Sequence, residues 1–298
     1  MPIDASFIDE LKKLTLTSRR RVSSIYTGTK KSIQQGKGIE IIDHREYFPG
    51  DDLETVDWRI YARTEKLYIK RYEVEKNLAL HILLDASSSM SFTTQNMGKF
   101  DYAGSLAAGF AYLAVQENEK FSISLFGEKL RAVMDLARGK PHFFKAIEVL
   151  NATKLEGSTD MAKCMQEYRS LIKSKAYVIL FSDFFQPLNE LEEGIFRIAK
   201  SSAELLLVQV LDPGEVSLTF KDDIIFEDIE DHAQERSFMS PKFIKDYSKS
   251  LIDHTYAVRE ICDRLGVDFY SVTTDKPIFP TFVSLINREV ENASLPSN

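Results

Sequence analysis

The chain has 298 residues, 44% of them apolar, and a formal net charge of −7. That is an ordinary globular composition, long enough for one large α/β domain with an appended piece. The acidity argues against general nucleic-acid binding, which needs a basic surface. No run approaches the roughly 20 apolar residues of a membrane span, and no leader joins a basic region to an apolar one, so a cytoplasmic address is expected. Cys164 and Cys262 stand far apart within helical patterns, which does not suit a disulfide framework.

Charge is unevenly spread. Residues 1–38 carry eight Lys/Arg, including Lys12, Lys13 and Arg19 to Arg21, against three acids. Residues 1–35 therefore read as a basic arm. Phe7, Ile8, Leu11 and Leu14 fall at the spacing of a short amphipathic helix within it. Such an arm would be a solvated face or a dock for an acidic partner or an anionic membrane. Thr27-Gly28-Thr29-Lys30-Lys31-Ser32 lacks the first glycine of a phosphate-binding loop and the strand before it, so no nucleotide site is expected.

Residues 36–77 are dense in charge and aromatics and predict a small β-rich subdomain. Pro49-Gly50-Asp51-Asp52 is a turn signal, and Leu67 to Val74 alternates as a strand does. Arg45 and Arg63 facing Asp51, Asp52 and Asp57 around Tyr47, Trp58 and Tyr61 would make either a paired structural network or a binding surface.

The next stretch organises the rest. Leu78 to Leu84 is an apolar run that stops at Asp85-Ala86-Ser87-Ser88-Ser89-Met90, which predicts a buried parallel strand with polar groups at its carboxyl end. Ala103 to Ala114 predicts a helix with a small-residue face, Phe121 to Phe126 a strand, and Leu130 to Met134 a segment pairing beside it. A helix from about Pro141 to Leu150 leads to the loop Leu155-Glu156-Gly157-Ser158-Thr159-Asp160. A helix follows through Met161, Cys164, Met165 and Tyr168. Ala176 to Phe181 is a second buried strand, ending at Ser182-Asp183; Leu188 to Ala199 is helical, and Leu205 to Leu211 is a third strand.

Pro213-Gly214 breaks this alternation and opens an excursion over about 213–240, with Val216 to Phe220 and Ile224 to Ile229 as its expected strands. Ser240-Pro241 then signals a helix start, and Gly266 its stop. Val267 to Val272 predicts a last strand, Phe279 to Ile286 a closing helix, and residues 291–298 a frayed tail. Strand and helix alternate as in a doubly wound, Rossmann-like, mostly parallel sheet spanning 78–290.

Asp85, Ser87, Ser89, Thr159 and Asp183 would then meet at one sheet edge, where open α/β sheets bind ligands. Carboxylate and hydroxyl oxygens suit a hard cation, Mg2+ or else Mn2+ or Ca2+, with waters completing the shell. Any one of the five would otherwise be a helix cap or turn residue. With few anionic ligands the ion would stay electron-poor and accept a carboxylate from another molecule.

Asp85-x-Ser87-x-Ser89, Thr159 in Gly157-Ser158-Thr159, and Asp183 after an apolar strand resemble the metal-ion-dependent adhesion site of von Willebrand factor A domains. Gly38-Ile39-Glu40, Arg45-Glu46-Tyr47, Pro49-Gly50-Asp51-Asp52, Val56-Asp57-Trp58, Ala62-Arg63 and Leu67-Tyr68-Ile69-Lys70, running into Asp85, resemble the bacterial DUF58 (domain of unknown function fifty-eight) family. The resemblance implies a von Willebrand A-like fold with a β-rich N-terminal addition and frequent association with MoxR-type AAA ATPases. It implies no reaction. Phe184-Phe185 follows Asp183 where animal adhesion domains commonly have glycine, so their ligand preference does not transfer directly.

Three function classes are open. The first is a metal-dependent interaction module, an adaptor or co-chaperone whose partner is a MoxR-type ATPase or its client. The second is a metal-assisted, phosphatase-like hydrolase, which needs a nucleophile, a base and commonly two metals. His44, His81, His142, His232 and His254 show no ligand spacing, and no hydrolase motif is present, so a non-enzyme is expected. The third is a membrane-surface scaffold using the basic arm, which as a single short helix binds weakly.

Overall fold

The computed structural model describes residues 33–34, 40–48, 53, 56–73, 79–173, 176–217, 224–227, 234–237 and 241–287. The amphipathic pattern at Phe7 to Leu14, the basic cluster, Thr27 to Ser32, Asp51 and Asp52, Ser240 and the tail lie outside these residues. The chain divides into two compact units, residues 23–77 and the remainder.

In the first unit, β1 (Ile33–Gln34), β2 (Glu40–Glu46) and β3 (Tyr68–Glu73) form an antiparallel sheet in the order β1-β3-β2. A bulge between Ile41 and Asp43 shifts the β2–β3 register. The helix α1 (Trp58–Thr64) is capped by Asp57, whose carboxylate accepts from the Arg59 and Ile60 amides. The same carboxylate meets His44 Nε2 at 3.1 Å. Arg45 bonds the Glu46 carbonyl and lies over the Phe48 ring. Trp58 and Tyr61 meet edge to face at 6.0 Å and stay 59% and 41% exposed, and Arg63 is exposed. Trp58 and Tyr61, expected at the centre of a paired network, therefore face outward, and Tyr47 is half-buried.

The second unit is built on β4 (Ala79–Asp85), β5 (Phe121–Phe126), β6 (Ala176–Ser182), β7 (Ser202–Leu211) and β10 (Asp268–Thr273), all parallel, in the order β10-β7-β6-β4-β5. Every residue of β4, β5 and β6 is buried, which explains their unbroken apolar runs. Antiparallel bridges Phe121–Ala137 and Ser124–Val133 lay another segment along β5, where the sequence pattern expects it. Numbered along this sheet, the order is 2-1-3-4-5, whose topological switch point lies between its first and third strands, β4 and β6.

Helices cover both faces. The helix α2 (Lys99–Gln116) is buried on nearly every side. Its small residues allow close approach: a Cβ on Gly109 would stand 2.7 Å from the buried Phe282 ring of α8 (Ile278–Asn287). The helix α3 (Lys140–Ala152) flanks α2. On the other face, α4 (Met161–Arg169), α5 (Leu188–Ala199) and α7 (Pro241–Leu265) pack through Met165, Tyr168, Ile195, Ile198 and Val258 onto Leu83, Val178, Leu180 and Leu207. Gly266 ends α7 at φ +67°, a left-handed stop. No helix of the described residues is long and apolar enough to cross a membrane. Cys164 and Cys262 are buried and free.

One expectation fails. Val216 closes a short capped helix, α6 (Pro213–Val216), instead of opening a strand, and β8 (Ile224–Glu227) pairs with β9 (Gln234–Ser237) instead. The capping box of Asp212 and Glu215 forces the turn.

His81 lies inside the core beside Tyr168 OH at 2.8 Å and Ser122 Oγ at 3.1 Å. Burial pushes it down from 6.5 to about 4. The unfolded chain therefore takes up a proton that the folded chain refuses. Stability from this group is complete above pH 6.5 and is lost as pH falls toward 4, by about 3 kcal/mol at most. Guanidinium unfolding between pH 7 and 4 checks this. His81→Gln is expected to flatten that part of the slope, and an unchanged slope counts against the assignment.

Candidate metal centre

The carboxyl ends of β4 and β6 bring four of the five expected oxygen donors into one hydrogen-bonded or electrostatic neighbourhood around Asp85, and Ser89 joins through Ser87. Asp85 is fully buried. Its Oδ1 accepts from the Ser87 amide at 3.0 Å and from Thr159 Oγ1 at 2.8 Å, and its Oδ2 accepts from Ser182 Oγ at 2.7 Å. Ser87 Oγ and Ser89 Oγ are 3.1 Å apart, on the sharp turn that leads from β4 into the 3-10 segment Ser88–Ser91. Thr159 arrives because its loop is stitched to this turn: the Ser88 amide donates to the Gly157 carbonyl, and Glu156 to that of Ala86. Gly157 sits at φ +71°, a conformation that favours glycine. Arg131 braces the pair through the carbonyls of Ala86, Lys154 and Glu156.

Asp183 follows directly on the end of β6. Burial, then the charge of Asp183, pushes Asp85 up from 3.8 to about 6, so two carboxylates press on each other across the switch point. Phe184, next to Asp183, is fully buried at φ +56°. That is an outlier for a bulky side chain, and glycine at this position in animal domains would adopt it freely. Here the turn is held by the Phe184 amide on Ser182 Oγ at 3.1 Å and by His254 Nε2 on the Phe184 carbonyl at 2.6 Å. Such strain gathers at functional sites. Phe185, Tyr247, Ser250, Leu251 and His254 line a cleft of about 270 Å³ beside this turn.

The sequence pattern does not reveal the cation present. Lys99, the first residue of α2, is fully buried; its Nζ donates to Asp183 Oδ2 at 2.8 Å and to Glu215 Oε1 at 2.6 Å. Burial opposes its charge, but Asp183 and Glu215 outweigh burial and hold it above the ordinary lysine range. The other Glu215 oxygen accepts from the Asp212 amide at 2.8 Å. Asp212 in turn receives the Thr94 amide at 3.0 Å and the Thr94 hydroxyl. Ser182 and Gln209, whose Nε2 donates to the Asp183 carbonyl at 3.0 Å, likewise join the cluster without a sequence signal. Only Glu215 left a readable signal, the Asp212-x-x-Glu215 spacing of a capping box.

The donor set fits a hard divalent cation. Carboxylate and hydroxyl oxygens are what Mg2+ takes, and neighbouring oxygens around an octahedral Mg2+ stand about 2.9 Å apart. The Ser87–Ser89 and Asp85–Thr159 spacings are 3.1 and 2.8 Å. No group of three or more His, Cys, Asp or Glu side chains with metal-holding geometry occurs among the described residues, so hydroxyls make up the larger share of the donors.

The chain is similar to several known proteins. The chain is 23% identical over 276 residues to the Mycobacterium tuberculosis protein Rv1480, covering 92% of this chain and 86% of that one. An aerotolerance-related membrane protein from Bacteroides fragilis aligns with 71% of this chain and 98% of its own at 13% identity and a TM-score of 0.48. The VWA domain of SpRpn10 aligns with 70% and 94% at 12% identity and a TM-score of 0.44. These superpositions are loose, and the fold stands on its own strand order. The family described as "Protein of unknown function DUF58" matches residues 43–256, most of both sheets and the whole donor set, and the chain belongs to that family.

Proposed function

We propose that this protein is a metal-dependent interaction module. Asp85, Ser87, Ser89, Thr159 and Asp183 would hold Mg2+, or Mn2+ or Ca2+ in its place. The bound ion supplies an electrophilic point that a partner's carboxylate completes. The observation that carries this reading is the buried Asp85 carboxylate at the switch point, ringed by hydroxyls and pressed by Asp183. Lys99 sits on Asp183, so the protein's own anionic contribution is small and leaves room for an anionic ligand from outside.

The partner in this reading is a MoxR-type AAA ATPase or its client, with the chain as adaptor or co-chaperone in the cytoplasm. The choice of partner rests on the family resemblance. A phosphatase-like hydrolase would need a free base near the ion. The two other carboxylates tied to this cluster, Asp183 and Glu215, are both engaged by Lys99, which favours holding over turnover.

Affinity capture from native extract, with Mg2+ or with EDTA, tests the reading. A MoxR-type ATPase identified by mass spectrometry only with Mg2+ is the expected result. Capture that persists in EDTA counts against it.

A further inference from the structure

Lys99 is poorly explained as a stabilising residue. It occupies the first position of α2, where the helix dipole repels cations. It is fully buried with Asp183 and Glu215, and buried ion pairs rarely outperform apolar residues of similar size. What its position does accomplish is electrostatic. Nζ covers Asp183 Oδ2, while among the described residues Oδ1 has only a 3.4 Å contact from the Phe185 amide. The rings of Phe185 and Phe92 stand 5.1 and 6.0 Å from Nζ and keep water from diluting the charge.

We propose that Lys99 is a resident counter-cation of the metal centre: shared between Asp183 and Glu215, it offsets part of the Asp183 charge, leaves Asp85 as the centre's one carboxylate with no cation on it, and so weakens the protein's own hold on the metal. The proposal rests on the metal reading above and adds its regulation. Affinity for hard cations rises with the number of ligand charges. Without Lys99, Asp183 would face the ion as a second uncovered carboxylate beside Asp85 and strengthen the protein's own hold on it. With it, retention gains from an added carboxylate, and by linkage the ion and that carboxylate strengthen each other by the same factor.

The test uses the full chain, Mn2+ as the probe, and titration calorimetry with the electron paramagnetic signal of free Mn2+ as readouts. Lys99→Met with Glu215→Leu removes one charge of each sign, preserves the net charge, and releases Asp183; it is expected to bind Mn2+ about tenfold tighter than wild type. Glu215→Gln alone leaves Lys99 wholly to Asp183 and is expected to bind several-fold more weakly. Opposite signs from two changes in one cluster are not what a packing role produces. If the double variant stays folded by circular dichroism yet binds no tighter than wild type, the proposal is overturned. Should the double variant fail to fold, Glu215→Gln decides alone: weaker binding supports the proposal, and unchanged or tighter binding overturns it. Asp85→Ala separates the two levels. If wild type binds Mn2+ and Asp85→Ala does not, while the Lys99 and Glu215 variants match wild type, the inference falls alone. If wild type and Asp85→Ala are equally inert, the metal reading falls with it.

Discussion

Asp85→Ala is expected to lower affinity for Mg2+ and Mn2+ by at least about a hundredfold, because it removes the one carboxylate of the centre with no protein cation beside it. Calorimetry on the purified chain reads this directly. The informative companion is Asp85→Asn. The amide keeps an oxygen for the Ser87 amide and Thr159 Oγ1 but removes a charge that burial and Asp183 both oppose. In EDTA, Asp85→Asn is therefore expected to unfold no earlier than wild type, although it has lost the metal. Asp85→Ala, which strands three donors, unfolds earlier. A residue whose charge burdens the empty fold and serves only the filled site marks a functional position. Equal metal affinity in wild type and Asp85→Asn would remove Asp85 from the centre.

The parts of the fold legible in the sequence are those fixed by local pattern. β4, β5 and β6 are buried on both faces, so their apolar runs are unbroken. Gly266 marks its own left-handed stop. Asp85 and Asp183 announce themselves because polar residues directly after buried strands must lie at one edge of a parallel sheet, whereas Thr159 lies in a loop between two helices and reaches the site through the bonds of that loop to the turn after β4. The excursion is harder to read: Pro213-Gly214 reads as a break, and the reciprocal capping bonds of Asp212 and Glu215 turn it into a helix.

Lys99 was illegible for a different reason. A lysine before an apolar helix looks like a solvated end, and its burial depends on Asp183 and Glu215, 84 and 116 positions away. No periodicity carries information over such distances. Trp58 and Tyr61 show the converse. Their residue types suggest burial, yet α1 leaves them exposed.

Lys99→Met alone is the second substitution with a large expected effect, lowering the free energy of unfolding by about 3–5 kcal/mol, because it leaves buried carboxylates without their cation. The side chains of Lys99, Asp183 and Glu215 are 0%, 1% and 11% exposed, so solvent offers little compensation. The loss also spreads: Glu215 anchors the Asp212 amide, and Asp212 holds Thr94. Guanidinium denaturation is the measurement, and two controls separate charge from packing. Adding Glu215→Leu to Lys99→Met should restore part of the lost stability, since one of the two bared carboxylates is then removed while Asp183 stays without its cation. Mg2+ should raise the midpoint of Lys99→Met more than that of wild type, because a ligand that binds only the folded chain stabilises in proportion to its affinity, by about 2.7 kcal/mol at a hundredfold excess over Kd. That response should vanish when Asp85→Ala is added. If the double variant is as unstable as Lys99→Met and Mg2+ has no effect on either, Lys99 acts through shape, and the charge it brings to the sheet edge is incidental.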